Sequence, residues 1–407
     1  MRIAKIYQGI ALWLFNFIVL FIIFNLAFYA FQTIRKQFNL IYNPVIEKYG
    51  DLLKIVYPNL SDDERNELLN ESWRDRPFMY EAFTQFKERP YKGKYVNVDP
   101  NGFRLTKDQG PWPPKSKNFN IFLFGGSTTF NYGVSDNETI ASHMQDMFNT
   151  ISNQTKVKIY NFGRGFYYSS QERILFQQLL TQGTVPEMAI FIDGINENLN
   201  LSDEPVFSDE LRQAMNQSFR WQLSQLAYHL PLLRPVFDKL AKIKYKTLIQ
   251  NQKDLPGESE DIPASLMRAV NEYLTNKRLI EAIGKEYGVQ TIFVWQPSPW
   301  FEYDLQYHPF AYSSNIQNVL SKNIYDLMSE IQDKESLGDH FIYCADMQKN
   351  IQAPVYVDAI HYSGAMSKAL ADKIVVEMFE RNLVPQQMNE NPPDAVRFLL
   401  SEPLVEI

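Results

Sequence analysis

Short apolar runs and longer amphipathic ones alternate through the middle of the chain. Phe119 to Phe124, Val157 to Tyr160, Met188 to Ile192, Val289 to Val294 and His340 to Tyr343 are brief, mostly apolar stretches of the kind buried strands need. Thr139 to Thr150, Ser170 to Thr181 and Ala264 to Tyr287 carry apolar residues at helical spacing, as does the run through Ala369 and Ile374. Strands that are apolar on both faces and alternate with helices predict a doubly wound α/β domain, a parallel sheet sandwiched by helices. In such a sheet a site forms beyond the carboxyl ends of the strands. Ser127 and Asn196 each follow a predicted strand, where that site requires them.

The pattern differs at the two ends. Ile10 to Phe31 contains no charged residue, and at about 1.5 Å per residue it is long enough to cross a hydrocarbon core of roughly 30 Å. Arg2 and Lys5 before it resemble the basic start of a signal peptide, but the apolar core of such a peptide is about 7 to 15 residues. Phe31-Gln32-Thr33-Ile34-Arg35 also lacks a small-x-small cleavage site. An uncleaved N-terminal transmembrane helix over residues 1–36 is therefore expected. Arg35 and Lys36 after the span balance Arg2 and Lys5 before it, so orientation is not set by charge. A large domain behind a single anchor is most simply exported, so it is expected outside the cytoplasm, in the periplasm or extracellular space. Asn16 and Asn25 lie within the span, where an amide can bond a partner helix in the membrane or its own backbone.

Residues 37–96 read as a polar, aromatic, membrane-proximal segment, with a helix from Ser61 to Trp73 beginning at a serine cap. The α/β domain spans 97–385 and a tail 386–407 follows it. Within the domain the strand rhythm stops over 198–263, which predicts a helical insertion. Asp209 to Leu230 and Arg234 to Leu248 are its amphipathic helices, and Asn251 to Ile262 is a polar connector. Trp221, Phe237 and Tyr245 would either line a groove beside the site or fill the insertion's own core.

Composition removes several classes of function. A net charge of -7 and no basic stripe argue against nucleic acid binding. Cys344 is the only cysteine, so neither an intrachain disulfide nor a cysteine zinc site can form, and no His-x-x-x-His spacing suggests a metal. No cofactor and no metal are expected.

The candidate chemistry lies in three blocks. Phe124-Gly125-Gly126-Ser127-Thr128-Thr129 puts a serine on a glycine turn after the first strand, and such a turn exposes a hydroxyl that a base must activate. Asp358-Ala359-Ile360-His361 places a carboxylate three residues before an imidazole, spacing that lets the acid hold the ring in the tautomer that accepts a proton. Of the other histidines only His340 follows an aspartate closely, and it opens a strand. Asn196 lies in the turn Asp193-Gly194-Ile195-Asn196-Glu197, where it suits either a helix cap or a side-chain donor to an oxyanion. A P-loop is excluded because no lysine follows Gly126.

Taken in order, these blocks resemble the SGNH (GDSL-like) hydrolase family, over roughly Asn97 to Arg381. The resemblance implies a flavodoxin-like fold, a Ser127–His361–Asp358 catalytic set, and an oxyanion hole from Ser127, a glycine of the turn Asn161-Phe162-Gly163-Arg164-Gly165-Phe166, and Asn196. Gly165 stands nearest the usual position, with Gly163 competing. Gly126 replaces the aspartate that most often precedes the nucleophile. Asn101-Gly102-Phe103-Arg104 resembles family framework, with Arg104 either a scaffold ion-pair residue or a substrate contact. The expected activity is a membrane-anchored serine esterase that removes O-acyl, chiefly acetyl, groups from polysaccharide or another cell-envelope ester. Acyl transfer by the same site and a catalytically silent scaffold are the alternatives.

Overall fold

The computed structural model describes residues 2–37, 43–151, 155–197, 203–216, 264–311, 317–334 and 337–384, with a few positions between 222 and 239. Two compact units divide the chain, Met1–Tyr42 with Phe207–Ser259, and Asn43–Val206 with Glu260–Ile407.

In the first unit Arg2–Gln37 is one continuous helix. Its stretch Ala4–Ile34 contains an 18-residue window of mean hydropathy 2.5 and is long and apolar enough, by length and composition, to cross a membrane. Its aromatic and aliphatic side chains, Trp13, Phe17 and Phe24 among them, are exposed, as those of a lipid-facing helix would be and those of a core helix would not. Asn25 donates from Nδ2 to the Phe21 carbonyl one turn back (2.8 Å) and accepts the Leu232 N–H at Oδ1 (3.2 Å), so its amide is satisfied within the unit. Of the predicted insertion helices, Ser208–Met215 is seen. The remainder of Asp209 to Leu230, with Trp221, the stretch Arg234 to Leu248, with Phe237 and Tyr245, the polar connector and the tail 386–407 lie largely or wholly outside the described residues.

The second unit is built on five parallel strands, β1 (Phe119–Gly125), β2 (Val157–Asn161), β3 (Met188–Asp193), β4 (Gln290–Trp295) and β5 (Phe341–Tyr343). Their spatial order is β2-β1-β3-β4-β5, the doubly wound arrangement expected. Alternation along β1 shows how the sheet acquires two cores. Ile121 and Leu123 face the helices Ile140–Ile151 and Gly364–Glu380, while Phe122 and Phe124 face Ser169–Thr181 and Ala264–Tyr287. Register aligns Phe124, Phe191, Phe293 and Phe341 across four neighbouring strands. The first three rings stack at centroid distances of 4.8 and 5.5 Å. Each fully buried phenylalanine contributes about 1.5–3 kcal/mol of transfer free energy, so this row is a main reason the strands pair in this register.

The segment 43–96 belongs to this unit. Ser61 caps the helix Asp62–Trp73 with a reciprocal capping box to Glu64. Leu68, Leu69, Val96 and Val98 pack with Phe130, Tyr132 and Val357, which flank the end of the sheet where the glycine turn lies. A hairpin of Met79–Glu81 and Gln85–Lys87 follows. Arg104 is wholly buried and binds Asp136 and the carbonyls of Phe130, Asn131 and Val134, so of its two expected roles it takes the scaffold one.

Candidate active site

Ser127 opens a four-residue helix, Ser127–Phe130, directly beyond β1, and is the one residue from Phe122 to Val134 that is not buried. The turn before it is tight because its neighbours leave no room. A Cβ on Gly126 would collide with Asn196 Nδ2 and approach the Tyr167 carbonyl to 3.1 Å. The aspartate expected by comparison with the commonest family motif therefore has no space here; the close approach of Asn196 occupies it.

Asp358 and His361 lie on the loop ahead of Gly364–Glu380, and that loop brings them to Ser127. His361 Nε2 is 2.9 Å from Ser127 Oγ, and its Nδ1 is 2.7 Å from Asp358 Oδ2. Asp358 Oδ1 accepts the N–H of Ile360 and of His361, each at 2.8 Å. Burial opposes the charge on this carboxyl, but the imidazole and the two N–H donors outweigh it and hold Asp358 below the usual carboxylate range. Thr128 and Tyr362 both donate to the Gln296 amide oxygen, at 2.7 and 3.1 Å, and so tie the serine helix to the histidine loop through β4's end. His308, packed at 5.0 Å against Tyr356 behind this loop, is pushed down to about 4 chiefly by burial and is neutral.

Asn196 lies beyond β3, with Nδ2 donating to the Tyr167 carbonyl at 2.6 Å, beside the glycine turn. Gly165 differs from expectation. Its N–H donates to Glu88 Oε1 at 3.0 Å, so it is not available to an oxyanion, and the glycine is needed because a Cβ would strike Phe78 and Tyr132. Gly163 is occupied likewise, its N–H on Asn161 Oδ1 at 2.9 Å. The residue of this turn whose N–H has no partner among the described residues is Phe166, held at φ 63°. Ser127 N–H also lacks one.

Several neighbours of the site were not anticipated. The Trp73 ring meets His361 edge-on at 5.8 Å, and Tyr132, 5.7 Å from Trp73, lies 5.5 Å from His361. Phe166 is about half exposed and packs at 6.0 Å against Phe78. Trp73 and Phe78 come from the segment between the N-terminal helix and the sheet, and nothing local in their sequence marks them as site residues. Two cavities, one of about 530 Å³ beside Arg173 and Glu272 and one of about 930 Å³ beside Lys115 and Lys156, are lined by neither Ser127 nor His361. No cluster of three His, Cys, Asp or Glu placed for a metal occurs among the described residues.

Three carboxyls, Glu172, Asp193 and Glu197, are buried together behind Asn196. Glu197 accepts the N–H of Gly194 (2.8 Å) and of Ser169 (3.0 Å), which fixes the turn that carries Asn196. Burial, reinforced by Asp193 and Glu197, pushes Glu172 well above the ordinary range, and burial with Glu197 does the same to Asp193. A carboxyl raised in the folded state keeps its proton where the unfolded chain, with a value near 4, has lost it. Stability from this cluster is therefore greatest in acid and falls as pH rises above about 4. Glu172→Gln, which mimics the protonated acid, is expected to raise the unfolding temperature at pH 8 and leave it nearly unchanged at pH 4. An equal gain at both pH values, measured by thermal unfolding, would show that Glu172 is not the group titrating.

No protein-family model matches the chain, and no curated protein matches it. Solved structures similar to it include acetylxylan esterases and G-D-S-L lipolytic proteins. Acetyl xylan esterase AlAXEase shares 11% identity over 63% of this chain and 98% of its own, with a TM-score of 0.36. A catalytic mutant of an acetylxylan esterase from Geobacillus stearothermophilus shares 10% over 65% and 95%, also at 0.36. A member of the lipolytic protein G-D-S-L family from Veillonella parvula DSM 2008 shares 10% over 63% and 96%, at 0.33. With values of this size none of them assigns an activity to the chain.

Proposed function

We propose that this chain is a membrane-anchored serine esterase of the SGNH type, acting outside the cytoplasm on O-acyl, chiefly acetyl, esters of a polysaccharide or another cell-envelope substrate. The observation that supports it is the continuous hydrogen-bonded line from Ser127 Oγ through His361 to Asp358. In this reading Ser127 Oγ attacks the acyl carbon while its proton passes to His361 Nε2. The imidazolium, held at Nδ1 by Asp358, then returns that proton to the leaving alkoxide, and water repeats the sequence on the acyl-serine. The oxyanion is met by the N–H groups of Ser127 and Phe166 and by the Asn196 amide, with Phe166 in the place expected for Gly165. A donor of this kind contributes about 2.7–4 kcal/mol. The acetyl class of substrate is proposed from the expected location outside the cytoplasm and from the family resemblance.

The direct test is to give the full-length chain, in detergent, p-nitrophenyl acetate with and without a sugar acceptor. Release of acetate supports the esterase. Acetylated sugar formed at the expense of acetate would assign the same acyl-enzyme to transfer, and no turnover together with no labelling by a serine-directed fluorophosphonate would leave a scaffold.

Anchoring has its own check. The full-length chain is expected to resist carbonate extraction from membranes, because Ala4–Ile34 is an apolar helix of spanning length whose one charged residue, Lys5, lies at its start. A version beginning near Gln37 is expected in the soluble fraction. A mature N-terminus found beyond Ala30 by sequencing would make the helix a cleaved signal instead.

A further inference from the structure

Arg76 and Glu88 form an ion pair with side chains 0% and 1% exposed, in the segment between the N-terminal helix and the sheet. Such a pair is costly to bury, and replacing it with apolar residues is often neutral, so its presence by itself says little about stability. Its other contacts are more specific. Glu88 turns Oε2 to Arg76 and uses Oε1 for two groups of the candidate site, the N–H of Gly165 (3.0 Å) and the hydroxyl of Tyr132 (2.7 Å). Arg76 is itself locked, donating from Nε to the Glu71 carbonyl (2.8 Å) and from Nη2 to that of Ser72 (2.7 Å) at the end of the helix Asp62–Trp73. Its guanidinium lies 4.4 Å from the ring of Phe130, the last residue of the serine helix, and 4.9 Å from that of Tyr132.

One carboxylate thus touches the turn that carries Phe166 and the ring that flanks His361, while its partner covers the end of the serine helix. We propose that Glu88 is a positioning residue, which holds the oxyanion turn and the Tyr132 wall in register with Ser127, so that the anchor-proximal segment completes the active site. This rests on the esterase reading above. The physical reason is local. Gly165 N–H fixes the peptide that immediately precedes Phe166 N–H, and at φ 63° a phenylalanine keeps its conformation only if the surrounding bonds hold it there. Without the Glu88 acceptor, the turn can relax toward a backbone conformation that phenylalanine prefers, and its N–H leaves the oxyanion position. Tyr132 would lose its hydrogen bond to Glu88 at the same moment.

A fold-only role and a positioning role predict different kinetics. In Glu88→Gln the side chain has one acceptor oxygen where the carboxylate had two, so it either turns an NH₂ group toward the Arg76 guanidinium or gives up the acceptor for Gly165 N–H and the Tyr132 hydroxyl, which loosens the oxyanion turn without emptying the site. Full-length wild type and variant are titrated with a fluorophosphonate to count active sites, and turnover of p-nitrophenyl acetate is then expressed per labelled site. Loss of one aligned oxyanion donor corresponds to roughly 10²–10³ in kcat. The expected result is a fall of about 10² in kcat per labelled site, with KM changed by less than about threefold. Should Glu88→Gln yield no folded protein, Glu88→Asp keeps the charge on Arg76 and withdraws the carboxylate by one methylene, and the same fall per site is expected. Full kcat per labelled site in whichever variant folds overturns the proposal, because a pin for the fold alone would reduce the number of active molecules and not the rate of each. A wild-type chain that neither labels nor turns over would overturn the esterase reading instead, and this one with it.

Discussion

Ser127→Ala is expected to reduce ester cleavage to near the background left by binding and oxyanion contacts alone, a fall on the order of 10⁶ by comparison with other serine hydrolases. The side chain lies at the one partly open position of an otherwise buried turn, and its Oγ is the atom that His361 Nε2 meets at 2.9 Å. Alanine removes that oxygen and leaves the glycine turn, Asn196 and the helix Ser127–Phe130 in place, so the fold is expected to survive. His361→Ala is expected to cost about as much, and the double variant little more than either, since serine and base act as one unit. Turnover of p-nitrophenyl acetate and fluorophosphonate labelling check this together. If Ser127→Ala retains turnover within tenfold of wild type, another residue is the nucleophile. If both variants keep the cellular phenotype that deletion of the chain removes, the role is that of a scaffold.

What could be read from the chain alone follows from how local each signal is. The five strands were legible because both faces of each are apolar, and Ala264–Tyr287 was legible in its limits because helical spacing persists over its whole length. Ser127, Asp358 and His361 each belong to a compact block, and their order along the chain suggested that they meet. Gly165 was misjudged for the opposite reason. The acceptor that takes its N–H is Glu88, 77 residues earlier, in the polar, aromatic segment ahead of the α/β domain. Phe166 had no signal at all, since positive φ in a phenylalanine is imposed by tertiary contacts and not by its own preference. Glu172 and Glu197 likewise look like surface charges on a helix and a turn, and only the packing of Ser169–Thr181 against the sheet shows them to be buried.

Asp358→Asn carries the second large effect. The carboxylate does two things for His361: it accepts at Nδ1 with a 2.7 Å contact, which leaves the basic lone pair at Nε2 toward Ser127, and it stabilises the imidazolium that forms when the serine proton arrives. An asparagine amide would present N–H to Nδ1 as readily as oxygen, favouring the tautomer with its hydrogen on Nε2, which cannot accept a proton from serine. The comparable change in a serine protease lowers turnover by about 10⁴, and a fall of about that size is expected here. Because Asp358 is held below its ordinary value in the folded chain, it also contributes stability that is fully present above about pH 4 and is lost as pH falls through the depressed folded value. The variant lacks that contribution, so the gap in unfolding temperature between wild type and Asp358→Asn is expected to narrow in acid, opposite in sign to the behaviour of the Glu172 cluster. Kinetics at neutral pH with thermal unfolding across the acid range check both halves. Turnover within tenfold of wild type would mean that a different group orients His361, whereas a gap in unfolding temperature that stays constant into acid would mean that Asp358 is not charged in the folded chain.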